Sequence, residues 1–200
     1  MSDDPQRLAI LSRLRSIWRH LPRRGVLLFF DVQPLAVKAY GGGRWTRAQR
    51  LVLPKQQRTR GFFYLFLCYD TATGTRHWAF FPGKGTPYVC RFMRRVRRWY
   101  PDQTVWIALD QDRAHPVKSR ETRRVMRSLR LRYVSLPKRS PDDNPVETLF
   151  SDIQAAILDD SNDANAQQTQ RRISKYLCAC NRRKEPRLRI SYLGILDKHR

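Results

Sequence analysis

The sequence predicts a mixed α/β fold, in which a five-stranded sheet begins as an antiparallel meander and carries helices on both faces. Apolar, strand-like runs separated by turn residues dominate the chain up to Phe81. Beyond Pro87, stretches with helical periodicity alternate with short apolar runs. Sequential strands followed by such an alternation are typical of a mixed sheet rather than a doubly wound parallel one. The length of 200 residues and the 41% hydrophobic content suit one domain.

The strands are predicted from apolar runs bounded by turn residues. The segment Asp70-Thr71-Ala72-Thr73-Gly74 has the composition of a hairpin turn, because Asp and Gly tolerate the backbone angles of a tight turn. Six runs qualify, one more than the five strands of the expected sheet: Val26 to Asp31, Arg50 to Leu53, Gly61 to Tyr69, Arg76 to Phe81, Val105 to Leu109, and Arg132 to Leu136.

The helices are predicted from apolar residues at helical spacing. Asp4-Pro5 is typical of a helix cap followed by a first-turn proline, and this first helix should end before Pro22. We expect it to pack rather than to read DNA, because a helix-turn-helix needs at least two more helices and a turn, and the sequence before Asp31 does not supply them. Its apolar positions are Leu8, Leu11, Leu14, Trp18 and Leu21. Later helices are predicted between Pro87 and Pro101, from Pro116 to Leu129, around Glu147, and from Thr169 to Asn181.

The chain divides into three predicted segments: an N-terminal helix and linker at residues 1–24, the main domain at 25–181, and a basic tail at 182–200. No apolar run approaches the roughly 18 residues needed to cross a bilayer. Acids and arginines also interrupt the first residues, where a signal peptide needs an apolar core. We therefore expect a soluble, cytoplasmic protein with no membrane partner. Four cysteines without zinc-site spacing are expected as reduced, buried thiols: Cys68, Cys90, Cys178 and Cys180.

The strong positive charge predicts a polyanionic partner. Forty Lys and Arg residues against 17 Asp and Glu give a formal net charge of +23, and such a field favours nucleic acid through counterion release. Composition alone favours an enzyme and a basic binding protein equally. Two predicted helices carry arginine faces that could follow DNA phosphates or simply be solvated, and the net charge favours DNA for at least one of them. The candidate DNA-binding residues are Arg91, Arg94, Arg95, Arg98, Arg120, Arg123, Arg124, Arg127, Lys138 and Arg139.

Three acidic residues stand where a divalent-metal site would need them. Asp31 and Asp110 each end an apolar, strand-like run, and Glu147 lies near the start of an amphipathic helix. The carboxyl ends of strands are the usual ligand side of an α/β sheet, and Mg²⁺ prefers oxygen ligands. Taken singly, each residue has a plainer interpretation. The two aspartates suit strand-end turns, and Glu147 suits the third position of a capping box begun by Asn144 and Pro145.

At these residues the chain resembles DDE transposases of the mariner-like superfamily, specifically the bacterial insertion sequence 630 family. The second block of that family is a hydrophobic strand followed by Asp-Asn, three residues and His, here Leu109-Asp110-Gln111-Asp112-Arg113-Ala114-His115. The third block appears as Leu136-Pro137-Lys138-Arg139-Ser140-Pro141-Asp142-Asp143-Asn144-Pro145-Val146-Glu147 and is the most specific match. The resemblance covers about residues 25–176 and includes a Gly43-Arg44-Trp45 segment.

The resemblance implies a ribonuclease-H-like fold and a catalytic, metal-binding triad of Asp31, Asp110 and Glu147. It implies two Mg²⁺ or Mn²⁺ ions as cofactors. The 36 residues between Asp110 and Glu147 are near the family's typical gap. Asp112, with 34 intervening residues, is a rival second ligand, but Asp110 ends the apolar strand and keeps the family's offset to His115. His115 is a candidate for orienting a phosphate, and a structural role is equally expected.

The function implied is metal-dependent DNA cleavage and strand transfer on double-stranded DNA, both element ends and target. Two alternatives stay open: an inactive or partner-dependent basic DNA-binding remnant of the same fold, and a ribonuclease-H-like nuclease without strand transfer. The end-recognition region that full-length relatives carry before the catalytic domain is missing from the 200 residues. A homodimer or a separate N-terminal recognition subunit is therefore an expected partner, and a bacterial, nucleoid-associated location is expected.

Overall fold

A five-stranded mixed sheet forms the centre of the molecule, as predicted. The computed structural model describes residues 4–38, 58–110, 119–138, 140–159, 161–183 and 188–194. The strand order across the sheet is β3-β2-β1-β4-β5. The strands are β1 (Gly25–Val37), β2 (Gly61–Asp70), β3 (Arg76–Phe81), β4 (Thr104–Leu109) and β5 (Leu131–Ser135).

The pairing of the strands is antiparallel in the first half of the chain and parallel in the second. β1, β2 and β3 form the predicted meander, and the hairpin between β2 and β3 turns at Gly74, whose positive φ of 77° suits glycine. β4 and β5 join through helical crossovers and run parallel to β1. The predicted strand at Arg50 to Leu53 lies outside the described residues.

Helices cover both faces of the sheet. The first face packs α1 (Arg7–Arg19), α4 (Pro145–Ile153) and α5 (Ala166–Arg183), and the second packs α2 (Thr86–Trp99) and α3 (Arg120–Ser128). A π-helical turn, Gln154–Leu158, extends α4. Each face has its own apolar core, because alternate residues of β1 and β2 point to opposite sides. No helix of the described part of the chain has the length and apolar character needed to span a membrane.

Some sequence-based boundaries differ from the structure. β1 continues six residues past Asp31, to Val37, because those residues pair with β2. α5 begins at Ala166 rather than Thr169 and extends to Arg183. Cys178 is exposed rather than buried, since it lies on the outer side of α5, whereas the other three cysteines are buried and all four are free thiols.

The first helix packs on the core, as expected, but differs from the prediction in its start. Leu11 and Leu14 are buried in the core of the first face, whereas Leu8 is 78% exposed. The helix begins at Arg7, with Asp4 forming a preceding turn in which its Oδ1 accepts the N–H of Gln6 at 2.9 Å. The other Asp4 oxygen accepts the backbone N–H of Lys138 at 2.8 Å. These backbone hydrogen bonds lower the pKa of Asp4.

Arg97 joins the ends of α2 and α3. Its guanidinium donates to the carbonyls of Leu129 at 2.8 Å and Arg130 at 3.1 Å beyond α3. It also donates to the carbonyls of Tyr100 at 2.7 Å and Gln103 at 3.0 Å after α2. Carbonyls at helix ends lack partners inside the helix. A single planar side chain therefore satisfies several of them at once.

Replacing Arg97 by Lys should lower the free energy of unfolding by about 2 kcal/mol, because an ammonium cannot reach both sets of carbonyls and leaves some unsatisfied. Chemical denaturation measures this change. Arg98→Lys is the matched control, since Arg98 is exposed on the same helix, and it should stay within about 0.5 kcal/mol of the original protein. Equal losses of unfolding free energy in the two variants would contradict the proposed link by Arg97 between the ends of α2 and α3.

A buried polar network lies at the C-terminal end of β2. Asp70 is 1% exposed and accepts the hydroxyl of Tyr100 at 2.8 Å. The same hydroxyl oxygen lies 2.8 Å from Nε2 of His77, whose ring stacks on Trp99 with centroids 4.6 Å apart. Burial lowers the pKa of His77 from its ordinary 6.5, against the opposing effect of the Asp70 charge.

The lowered pKa of His77 predicts a pH dependence of stability. The unfolded chain binds a proton near pH 6.5 more readily than the folded one, so this contribution is complete above that pH and is lost as the pH falls towards the folded pKa. His77→Gln should therefore flatten the decline in melting temperature between about pH 7 and pH 5. His20→Gln, at an exposed histidine, should leave the decline unchanged, and a similar effect of both substitutions would refute the assignment.

Candidate active site

The parallel pairing of β1 and β4 brings Asp31 and Asp110 to neighbouring positions. Phe29 pairs with Ala108 and Phe30 with Leu109, so the two aspartates follow in matching register. Phe29 and Ala108 both belong to the core beneath α4. Because side chains alternate along a strand, the positions two residues further along, 31 and 110, fall on that same face. The pairing therefore places both acids at the end of the β1–β4 ladder, on the side of α4.

Asn144 ties Asp31 to the start of α4. Asp31 is 7% exposed, and its Oδ2 accepts the amide N–H of Asn144 at 2.9 Å. Its Oδ1 accepts the backbone N–H of Val32 at 2.7 Å. The Asn144 carbonyl oxygen Oδ1 accepts the N–H of Val146 at 3.2 Å and so caps the helix. One buried side chain thus orients a candidate ligand and begins the helix that carries Glu147.

Glu147 lies in the first turn of α4 and is partly exposed. It lines a cleft of about 350 Å³ together with Gln33, Leu35, Phe150 and Gln154. Gln33 is two residues beyond Asp31 on the same strand face, so the cleft lies on the side of the sheet that Asp31 faces. The capping interpretation is partly confirmed, since Asn144 caps the helix. However, the backbone N–H of Asn144, which a capping box would direct to Glu147, donates to the carbonyl of Pro141 at 2.9 Å.

The turn before α4 is anchored by Asp143, which is 2% exposed. Its carboxylate accepts two hydrogen bonds from Arg7, at 2.7 and 2.6 Å, and another from the hydroxyl of Ser140. Its backbone carbonyl accepts the hydroxyl of Tyr192 at 2.6 Å. Burial and the nearby Asp143 charge raise the pKa of Tyr192, so this tyrosine stays a donor. The first helix and the segment near residue 192 thereby hold the start of α4 in place.

The donor chemistry of the three acids suits a hard divalent cation, because Mg²⁺ binds carboxylate oxygens and retains water or phosphate in its other positions. Within the residues that the structure describes, no group of three or more His, Cys, Asp or Glu side chains is arranged to hold a metal ion. The β1–β4 register and the position of α4 nevertheless bring Asp31, Asp110 and Glu147 to the same face of the sheet. Their assignment as joint metal ligands stays a prediction.

The other candidate residues are distributed unevenly. His115, the rival ligand Asp112, the basic residue Arg139 and the segment Gly43-Arg44-Trp45 lie outside the described residues. Lys138 is exposed on the loop before α4. The candidate DNA-binding arginines of α2 and α3 are exposed, except for the partly buried Arg95, and lie on the sheet face opposite the carboxylates. These are Arg91, Arg94, Arg98, Arg120, Arg123, Arg124 and Arg127.

Two features of the site were missed at the sequence level. The sequence indicated the capping role of Asn144 but not its amide bond to Asp31, which spans 113 positions of the chain. Gln33 and Gln154 line the cleft beside Glu147, and the extension of β1 past Asp31 that positions Gln33 was not predicted. A polar Gln between apolar Val32 and Leu35 was the available signal, but it suits an exposed strand position equally well.

A family model described as "DDE superfamily endonuclease" matches residues 26–170. The chain belongs to this family. The matched region contains all three candidate acids and all five strands of the sheet except the first residue of β1. A search of curated proteins by sequence finds no match.

Solved structures similar to this chain share the family's fold. The pre-cleavage Mos1 transpososome superposes with a TM-score of 0.65 at 13% identity, covering 94% of this chain and 58% of that one. The Mos1 paired-end complex with left transposon end has a TM-score of 0.64 at 13% identity, covering 94% of this chain and 56% of that one. The catalytic domain of Mos1 mariner transposase has a TM-score of 0.60 at 13% identity, covering 94% of this chain and 86% of that one. This family member thus has the ribonuclease-H-like fold of transposase catalytic domains and spans just over half the length of the first two chains.

Substitution of Asn144 separates its two roles. Asn144→Ala removes the cap and the bond to Asp31 and should cost about 2 kcal/mol of unfolding free energy. Asn144→Ser keeps a capping oxygen but is too short to reach Asp31, so it should cost about 1 kcal/mol less than the alanine variant. Thermal and chemical unfolding measure both changes. The bridging role would be excluded if the serine variant were as stable as the original protein.

Proposed function

We propose that this DDE family member cleaves DNA and transfers the cut strand in a reaction that depends on a divalent metal ion. The observation that supports this best is the matched register of Asp31 and Asp110 beneath the helix that carries Glu147. The family match covers all three residues. The net charge of +23 suits a DNA substrate.

The proposed roles follow from the positions of the side chains. Asp31, Asp110 and Glu147 would hold the metal, and Asn144 would orient the Asp31 carboxylate through its amide. Two Mg²⁺ or Mn²⁺ ions bound there would stabilise the attacking and leaving oxygens of an in-line displacement. Hydrolysis of a phosphodiester would leave a DNA 3′-hydroxyl and a 5′-phosphate. The 3′-hydroxyl would then attack a phosphodiester of target DNA, forming a new P–O bond and displacing the 3′-hydroxyl of the target strand. Among the solved structures similar to this chain are Mos1 paired-end complexes with Mn and with Mg.

The finer assignments belong to the same proposal. The third block of the sequence supports membership of the insertion sequence 630 family within the mariner-like superfamily. We assign catalysis to residues 25–181, with residues 1–24 and 182–200 as flanking segments. α1 nevertheless packs in the same core as that domain. A homodimer or a separate recognition subunit, and a cytoplasmic, nucleoid-associated bacterial location, complete the proposal. The DNA-binding remnant and the simple nuclease are its rivals.

The two arginine-bearing helices, together with Lys138, Arg139 and His115, are assigned to DNA phosphates. The α2 and α3 arginines lie across the sheet from the carboxylates. A duplex held at the carboxylates would therefore have to pass the end of the sheet to reach them. Contacts of this kind position DNA without reading its sequence.

Asp110→Asn should abolish Mg²⁺-dependent nicking of supercoiled DNA while leaving DNA affinity within about twofold. The substitution removes one candidate ligand charge while keeping the size of the side chain, and most affinity for DNA comes from basic contacts. Gel assays of nicking and of joining, on supercoiled DNA and on linear element ends, measure the outcome. Asp102→Asn is the control, because Asp102 is an exposed acid before the first residue of β4, at the opposite end of the strand from Asp110.

Each outcome distinguishes among the candidates. Cleavage and joining by the original protein, lost only in Asp110→Asn, supports strand transfer. Cleavage without joining supports the simple nuclease. DNA binding with no cleavage in Mg²⁺ or Mn²⁺ supports the remnant, and nicking by Asp110→Asn at the original rate rejects the site.

A further inference from the structure

An exposed and a partly buried aromatic side chain lie together on β2, further along the sheet from the candidate site. Phe62 is 51% exposed, and its ring meets that of Tyr64 edge-on, with centroids 5.1 Å apart. Both residues belong to β2 and face the side of α2, because Tyr64 packs against the core of that face. The exposed Phe62 ring gains little from folding. A partner with flat apolar surfaces would bury it.

Arginines of α2 continue this surface. Tyr64 lies directly opposite Phe81 of β3, and the Phe81 ring contacts Tyr88 with centroids 5.7 Å apart. The guanidinium carbons of Arg91 and Arg95 lie 5.8 and 5.5 Å from the centroid of the same Phe81 ring. We call the resulting surface, made of Phe62, Tyr64, Tyr88, Arg91 and Arg95, the aromatic–arginine strip.

The chemistry of the aromatic–arginine strip favours single-stranded nucleic acid. Aromatic rings stack on bases and arginines bind phosphates, and this combination is how proteins bind single strands without sequence preference. A duplex offers phosphates but keeps its base faces stacked inside. A second copy of this chain is disfavoured as the occupant, because each copy carries a net charge of +23 and would bring further positive charge to Arg91 and Arg95.

The aromatic–arginine strip is near enough to the carboxylates to contact the same DNA. Phe62 pairs with Ala36 of β1, five residues beyond Asp31 in that strand, which corresponds to about 17 Å at the usual strand rise. α2 begins at Thr86, shortly after β3 ends at this side of the sheet. A strand leaving the carboxylates over the end of the sheet would therefore reach Phe62 first and the arginines next.

We propose that the aromatic–arginine strip binds the unpaired strand of DNA next to the cleavage position. The source of that strand rests on the proposed function. The binding itself does not, because it needs neither metal nor cleavage and is measured separately.

The test uses the complete chain without metal, a fluorescently labelled oligothymidylate, and a blunt duplex of the same length. Phe62→Ala should weaken binding of the single strand about tenfold, as expected for one lost stacking contact, and change duplex affinity by less than about twofold. Phe62→Leu keeps apolar bulk without an aromatic face and should lose as much, whereas Phe62→Trp should bind like the original protein. Leu8→Ala removes an apolar side chain that is 78% exposed on α1 and should change neither affinity.

Salt dependence separates the two parts of the aromatic–arginine strip. Arg91→Gln should reduce the slope of log affinity against log salt concentration by about one contact, whereas Phe62→Ala should leave that slope unchanged. Unchanged single-strand affinity in Phe62→Ala overturns the proposal, as does full affinity in Phe62→Leu. A shift of Phe62→Ala from dimer to monomer in sedimentation, with DNA affinity unaffected, also overturns it in favour of a second copy.

The proposal for the aromatic–arginine strip and the catalytic proposal can be rejected independently of each other. Loss of single-strand affinity in Phe62→Ala, with no cleavage by the original protein, would reject the catalytic proposal alone. Cleavage that requires Asp110, with unchanged single-strand affinity in Phe62→Ala, would reject the aromatic–arginine strip alone.

Discussion

The parallel ladder between β1 and β4 is the constraint on which the candidate site depends. Both strands are covered on both faces, and Leu27, Leu28, Phe29 and Phe30 are all at most 1% exposed. A shift of one residue in this pairing would reverse which side chains meet each core. It would direct Asp31 into the apolar core beneath α2. The burial that stabilises the sheet therefore also fixes where the two aspartates emerge.

The second constraint is the attachment of α4 to that ladder. Asn144 links the helix cap to Asp31, and the neighbouring Asp143 is bound by Arg7, Ser140 and Tyr192. Buried polar groups of this kind are costly when unpaired, and no buried side-chain nitrogen or oxygen of the described residues lacks a partner. The position of Glu147 thus depends on contacts from both ends of the chain. α1 contributes to the site through Arg7, which is more than the packing role its leucines indicated.

The fold was largely predictable because its signals are local. Apolar runs, turn residues and prolines predicted the meander, the crossover helices and the helix behind Asn144, and the family match confirms the two sequence blocks as part of a DDE domain. Local signals failed where tertiary contacts compete with them. The periodicity of α1 placed Leu8 on the buried side, yet Leu8 lies in the first turn and is exposed, whereas Leu11 and Leu14 are buried and Trp18 and Leu21 pack against the same core. β1 runs on past Asp31 because β2 supplies pairing partners as far as Gly61.

The sequence by itself determined which residue types could perform chemistry and on which kind of element each would lie. The physical reason is that strand alternation, helix capping and net charge are properties of short segments and of composition. Only the tertiary structure decided what those residues contact. It put Asp31 against Asn144 and placed the arginines of α2 and α3 on the face away from the carboxylates. It also left Phe62 exposed on the same face as those arginines. Such contacts join positions far apart in the chain, and pairing register and helix docking set them rather than any local pattern.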